Sequence, residues 1–211
     1  MANSISKLHY ITQDIEGVSH SELAQQACKG GVDWVQLRMK NVSDEEWLDE
    51  AIKTLIVCRK HHAKLIINDN PELASEIGAD GVHLGKGDMN LSEARKIIGT
   101  DMILGATANT FEDIVAASNH EIDYIGLGPF RFTSTKKVLS PILGLNGFRE
   151  TIQLMDKTKI TLPIIAIGGI MLEDIPDLFS VGVHGIAIAS AINISEDPTR
   201  VANLYYKTSL L

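Results

Sequence analysis

The segment Gln36, Leu37, Arg38, Met39, Lys40 puts an amide and two cations at alternate positions. Successive side chains of an extended chain take opposite faces, so Gln36, Arg38 and Lys40 share one face and Leu37 and Met39 the other. Charges are seldom buried without a partner, so two cations on one face of a strand end point to an anionic ligand. Two carboxylates stand at comparable places: Asp69 after Ile67 and Asn68, and Asp88 after His83, Leu84, Gly85, Lys86 and Gly87. Carboxylates beside cations, with no His and Cys at ligand spacing, suit a hard, oxygen-preferring ion such as Mg²⁺ rather than zinc. Each is also placed to cap the helix that follows it, which is the competing role. A third group is uncharged: Gly168 and Gly169 follow one apolar run, and Ala189 and Ser190 end another, where backbone N–H groups can hold a phosphate. Between the carboxylates and these glycines, residues 128–137 include Thr133, Ser134, Thr135, Lys136 and Lys137, a loop of hydroxyls and cations long enough to close over a ligand. His83, alone on an apolar run, reads as a hydrogen-bonded core residue, and His61 and His62 as helix-end residues without a functional role.

Positioning these groups requires a scaffold, and the chain shows a regular alternation of short apolar runs with longer stretches of helical spacing. The runs are residues 8–12, 34–39, 64–68, 81–84, 102–107, 124–128, 164–168 and 185–190. The helical stretches are 21–29, 44–62, 71–77, 91–98, 111–119, 145–157, 172–181 and 198–207. Ser43 with Glu46, and Asn90 before a run ending at Gly99, carry helix-start and helix-stop chemistry. Eight β-then-α units within 211 residues predict an α/β protein, a single (β/α)8 barrel of the TIM type spanning residues 1–211. The polar groups above then fall after the C-terminal ends of the strands, where barrel sites lie. The turns at Gly30 and Gly31, at Gly78, and at Gly182 fall at the opposite face as punctuation between helix and strand.

A net charge of −8 argues against nucleic acid or an anionic membrane as the main partner, so any anionic ligand must be held by a local positive cluster. Cys28 and Cys58 are too few for a disulfide framework and sit in apolar helical registers, as buried small hydrophobes of a reducing, cytoplasmic compartment would. No apolar stretch approaches the ~20 residues of a membrane span. The expected partners are small molecules, with a homo-oligomer left open.

Taken in order, Gln36 to Lys40, Asn68 and Asp69, Gly81 to Gly85 with Asp88, Gly126 to Pro129, Thr133 to Lys136, Ile167 to Ile170 and Ser190 to Ile192 resemble the thiamine-phosphate synthase family over nearly the whole chain. That resemblance implies condensation of 4-amino-5-hydroxymethyl-2-methylpyrimidine diphosphate with a thiazole phosphate, yielding thiamine phosphate and pyrophosphate. It implies that Gln36, Leu37, Arg38, Met39, Lys40 and Asn68 hold the pyrimidine diphosphate and that Asp69 and Asp88 bind Mg²⁺. Thr107 and Lys136 would reach the diphosphate, and with Arg38 and Lys40 would form the catalytic set. Thr133, Ser134, Thr135, Gly169, Ala189 and Ser190 would hold the thiazole phosphate. The chain departs from the usual pattern at Thr107, where many members have Ser, at Asn109, where many have His, and at Asn70, where many have Asp. Two alternatives stay open at this point: a thiazole tautomerase of the same family, which uses a His where Asn109 stands, and a non-enzymatic phosphate-ligand sensor.

Overall fold

The computed structural model describes residues 4–132 and 141–210. Strands β1 (Leu8–Ile11), β2 (Trp34–Leu37), β3 (Lys64–Asn68), β4 (Gly81–Leu84), β5 (Ile103–Ala108), β6 (Tyr124–Leu127), β7 (Ile164–Ile167) and β8 (Gly185–Ile188) pair in sequence order, all parallel, and β8 closes on β1. Helices α1 (His20–Lys29), α2 (Asp44–Lys60), α3 (Pro71–Ile77), α4 (Leu91–Ile98), α5 (Phe111–Ser118), α6 (Gly144–Thr158), α7 (Ile175–Ser180) and α9 (Pro198–Ser209) follow the strands. A short α8 (Ser190–Asn193) comes directly after β8, and a 3₁₀ turn, Leu172–Asp174, precedes α7. The fold is the predicted (β/α)8 TIM barrel. No helix among the described residues is long and apolar enough to cross a membrane.

Strand periodicity divides the apolar residues into two cores. Leu37, Leu65, Ile67, Val82, Leu104, Ile125 and Ile186 face outward and pack under the helices. Ile11, Trp34, Ile66, Ile103, Tyr124, Ile165 and Ala187 point inward and fill the barrel. Gly105 makes this filling possible: a Cβ there would lie 2.2 Å from the Tyr124 ring. The plug closes the lower barrel, so polar chemistry is confined to the upper rim.

Most elements differ by one to three residues at one end or both from the sequence expectation, and two of these shifts bear on the site. β2 stops at Leu37 rather than at residue 39, because the N–H of Arg38 donates to the Thr12 hydroxyl (3.0 Å) instead of to a neighbouring carbonyl. The run expected to stay extended to residue 190 ends at Ile188, since Ser190 already starts α8, whose Asn193 is buried and donates to the Ile11 carbonyl at 2.9 Å.

The plug also carries a titratable group. His9 is fully buried and stacks on Trp34 with ring centroids 4.1 Å apart. Burial, helped by the neighbouring His83, holds its imidazole well below the ordinary 6.5, against the Ser6 carbonyl that favours the charged form. The unfolded chain therefore binds a proton that the folded chain refuses. Stability should fall as pH drops below about 6.5, by up to about 1.4 kcal/mol per pH unit until the folded imidazole titrates. His9→Phe keeps a ring on Trp34 and should flatten this slope; melting curves between about pH 7 and 5 measure it. Equal slopes in both proteins would remove His9 as the cause.

Candidate functional site

Strand alternation builds the floor of the rim. Gln36 and Asn68 are both buried, with the Gln36 amide donating to Asn68 Oδ1 at 2.7 Å. His83, opposite Asn68 in the ladder, bridges two hydroxyls: its Nε2 lies 2.9 Å from Thr107 Oγ1 and its Nδ1 3.0 Å from the Tyr124 hydroxyl. His83 is thus hydrogen-bonded as expected, and it fixes Thr107 at the mouth. Arg38 is half-buried, and Lys40 is exposed and ion-paired with Asp69. Leu37 and Met39 pack in the outer core, Leu37 fully buried, so a ligand would meet only its backbone. Met39, Lys40 and Asp69, with Trp47, Asn70 and Glu72, line an open cleft of about 380 Å³.

Neither acidic residue caps a helix. Asn70 caps α3, its side chain accepting from Leu73 N at 2.9 Å, and Asn90 caps α4, accepting from Ser92 N at 2.9 Å. Asp69 takes a left-handed backbone, φ 67°, uncommon for a side-chain-bearing residue, while its N–H donates to the His83 carbonyl at 2.9 Å. Its carboxyl is pushed up, first by burial and then by the adjoining Asp88, and Lys40 opposes both. Asp88 is exposed and accepts the Gly85 N–H at 2.6 Å. Two adjoining carboxylates suit a hard dication that keeps water and phosphate oxygens as its other ligands. Among the described residues no group of three or more His, Cys, Asp or Glu gathers at a metal-binding distance.

The opposite part of the rim is neutral. Gly168 (φ 104°) and Gly169 (φ 65°) curl the chain after β7, and Ala189 precedes α8 without a side-chain cap, leaving Ser190 half-buried at the first turn. A short extra helix after strand eight is a recurrent phosphate-binding feature of these barrels. Sequence periodicity missed it because a four-residue helix is too short to show a period. Thr133, Ser134, Thr135 and Lys136 lie outside the described residues. Asn109 donates to the Gly128 carbonyl at 2.5 Å, so a neutral, tethered amide stands where the tautomerase alternative needs an imidazole.

Sequence reading also missed Thr12. Its N–H donates to the Gln36 carbonyl at 3.0 Å, its hydroxyl accepts from Arg38 N, and His20 Nδ1 lies 2.7 Å from that hydroxyl. Thr12 therefore continues the β1–β2 ladder with a side chain; a hydroxyl at a strand end is the only sequence signal for it.

The family model for thiamine monophosphate synthase matches residues 8–192. A thiamine-phosphate synthase of Phocaeicola vulgatus is 46% identical over 208 residues, 97% of this chain and 100% of its own length. One from Flavobacterium johnsoniae is 48% identical over 192 residues, 91% of each chain. The solved thiamine phosphate pyrophosphorylase of Pyrococcus furiosus superposes with a TM-score of 0.84 at 28% identity, over 97% of this chain and 95% of that one. Similarity that runs through every strand of the barrel and both parts of its rim shows that the chain belongs to the thiamine monophosphate synthase family.

Proposed function

We infer that this chain is a thiamine-phosphate synthase, joining the pyrimidine diphosphate to the thiazole phosphate, or its carboxylate, with release of pyrophosphate. The observation that carries this reading is the division of one barrel mouth: cations and paired carboxylates after β2, β3 and β4, and a neutral glycine-and-helix cradle after β7 and β8. A diphosphate that must leave and a monophosphate that only has to be held need those two environments.

Departure of pyrophosphate from a CH₂ on an electron-rich aminopyrimidine gives a ring-stabilised cation, so no protein nucleophile is required. Arg38 offers a planar fork of donors to the leaving phosphates, and Lys40 and Lys136 act as point charges. Lys40 is exposed and exchanges Asp69 for a phosphate oxygen as the diphosphate enters. Gln36 and Asn68 hold the pyrimidine end from the floor, and Thr107, held by His83, adds a hydroxyl. Asp69 and Asp88 are the residues that would hold Mg²⁺, which supplies charge neutralisation for the departing pyrophosphate. Thr133, Ser134 and Thr135 with Gly169, Ala189 and Ser190 hold the thiazole phosphate, so that its ring nitrogen stands in line with the CH₂. The buried free thiols of Cys28 and Cys58 agree with a cytoplasmic location. Turnover of purified protein with both substrates and Mg²⁺ tests the reading. Its absence, with isomerisation of a thiazole carboxylate phosphate or with no reaction at all, would replace it.

Gly169→Val probes the phosphate cradle. A β-branched residue at φ 65° is strained, and its Cβ would stand 3.0 Å from Arg131 Cβ. The strain should cost about 1–3 kcal/mol and lower the melting temperature by several degrees. Thiazole phosphate affinity should fall while pyrimidine diphosphate affinity stays nearly unchanged. Calorimetry with each ligand separately checks this, and equal weakening would mean that the whole barrel was disturbed.

A further inference from the structure

Three successive carbonyls, at the last residue of β7 and the two that follow, point the same way. Ile167 O accepts from Phe130 N at 2.9 Å, Gly168 O from Arg131 N at 2.9 Å, and Gly169 O from the Arg131 guanidinium at 3.0 Å. In an extended strand successive carbonyls alternate sides, so this arrangement requires the left-handed glycines at 168 and 169. The peptides concerned are trans, and in a trans peptide the N–H points opposite to the C=O. The N–H groups of Gly168, Gly169 and Ile170 are therefore all turned away from residues 130 and 131. Successive N–H groups on one side form an anion-binding concavity.

One side chain holds the outermost carbonyl of this arrangement. The Arg131 guanidinium bonds Asp174 with both ends of its fork, Nη2 to Oδ1 at 2.6 Å and Nη1 to Oδ2, while it also donates to Gly169 O. Asp174 is buried and takes the Met171 N–H at 2.8 Å, and the guanidinium lies 4.8 Å from the Phe130 ring centroid. Arg131 is thereby fixed from the chain after β7, from the turn before α7 and from its own neighbour.

We propose that Arg131, oriented by Asp174, is a positioning residue for the substrate's phosphate monoester: by holding the Gly169 carbonyl it keeps the Gly169–Ile170 peptide turned with its N–H toward the anion. This rests on the functional reading above and assigns to that phosphate a residue that does not touch it. Arg131→Met retains the stem over Phe130 and removes the fork; Asp174→Asn keeps an acceptor for Met171 N and removes the charge. In steady-state kinetics Arg131→Met should raise KM for the thiazole phosphate about tenfold, the effect of losing one charge-assisted hydrogen bond. Saturating kcat and the affinity for pyrophosphate with Mg²⁺ should stay within about twofold, on the same scale. Asp174→Asn should move the same KM in the same direction, and the double variant should add little to Arg131→Met, because the two residues act as one unit. Equal weakening of thiazole phosphate and pyrophosphate, or an unchanged thiazole phosphate KM, would overturn the proposal. Absence of turnover by the unaltered protein would instead refute the functional reading. Inorganic phosphate then serves as the probe: weaker binding by Arg131→Met supports the cradle, and equal binding overturns it.

Discussion

Replacing Asp69 and Asp88 together by Asn should abolish turnover, by on the order of 10³-fold or more, while the ligand-free protein melts at nearly its original temperature. The caps of α3 and α4 are Asn70 and Asn90, so neither helix loses its first-turn hydrogen bond. Asn at position 88 can still accept the Gly85 N–H. The Asp69 carboxyl is pushed up by burial and by Asp88, so replacing it removes a repulsion. The lost partner of exposed Lys40 costs at most about 1 kcal/mol. What disappears is the pair of charged oxygens that a hard dication requires. Titration of Mg²⁺ with and without pyrophosphate completes the test: binding should be weak alone and much tighter with pyrophosphate, whose oxygens supply the remaining ligands. An active double variant, together with no enhancement by pyrophosphate, would sink the metal assignment.

Arg38→Ala should lower kcat/KM by roughly 10²–10³, the range for losing one preorganised charge-stabilising donor. The segment that carries Arg38 stays in place without its side chain, because its N–H is held by Thr12, whose hydroxyl is held in turn by His20. Melting temperature should therefore change little, which separates a catalytic loss from misfolding. Arg38→Lys should recover only part of the activity, since an ammonium is a point charge and cannot reproduce the planar fork. Near-normal kcat/KM in a folded Arg38→Ala protein would remove Arg38 from the leaving-group clamp.

The barrel was legible because both of its periods are local. Short apolar runs such as Trp34 to Leu37 and Lys64 to Asn68 mark strands whatever lies beside them, and capping boxes such as Ser43 with Glu46 mark helix starts. The two-residue period of an extended chain put Gln36, Arg38 and Lys40 on one face, and the sequential β-then-α order put their loops on one rim. Legible residue types still left Asp69 and Asp88 with two possible roles, since a carboxylate before a helix looks the same whether it caps or binds. The folded chain decided that Asn70 rather than Asp69 caps α3, and that Asn90, already the helix-start residue in the sequence, leaves Asp88 free of the α4 cap, because a cap depends on which side chain meets an N–H in three dimensions. Tertiary contact likewise decided where β2 ends, through a Thr12 hydroxyl 26 residues away in sequence, and which way the Gly168 and Gly169 carbonyls face, through Arg131 on a neighbouring strand's loop. Sequence determines what each residue can donate, accept or bury within its own few neighbours. The partner that satisfies it comes from closure of the barrel, which brings distant strand ends to one rim.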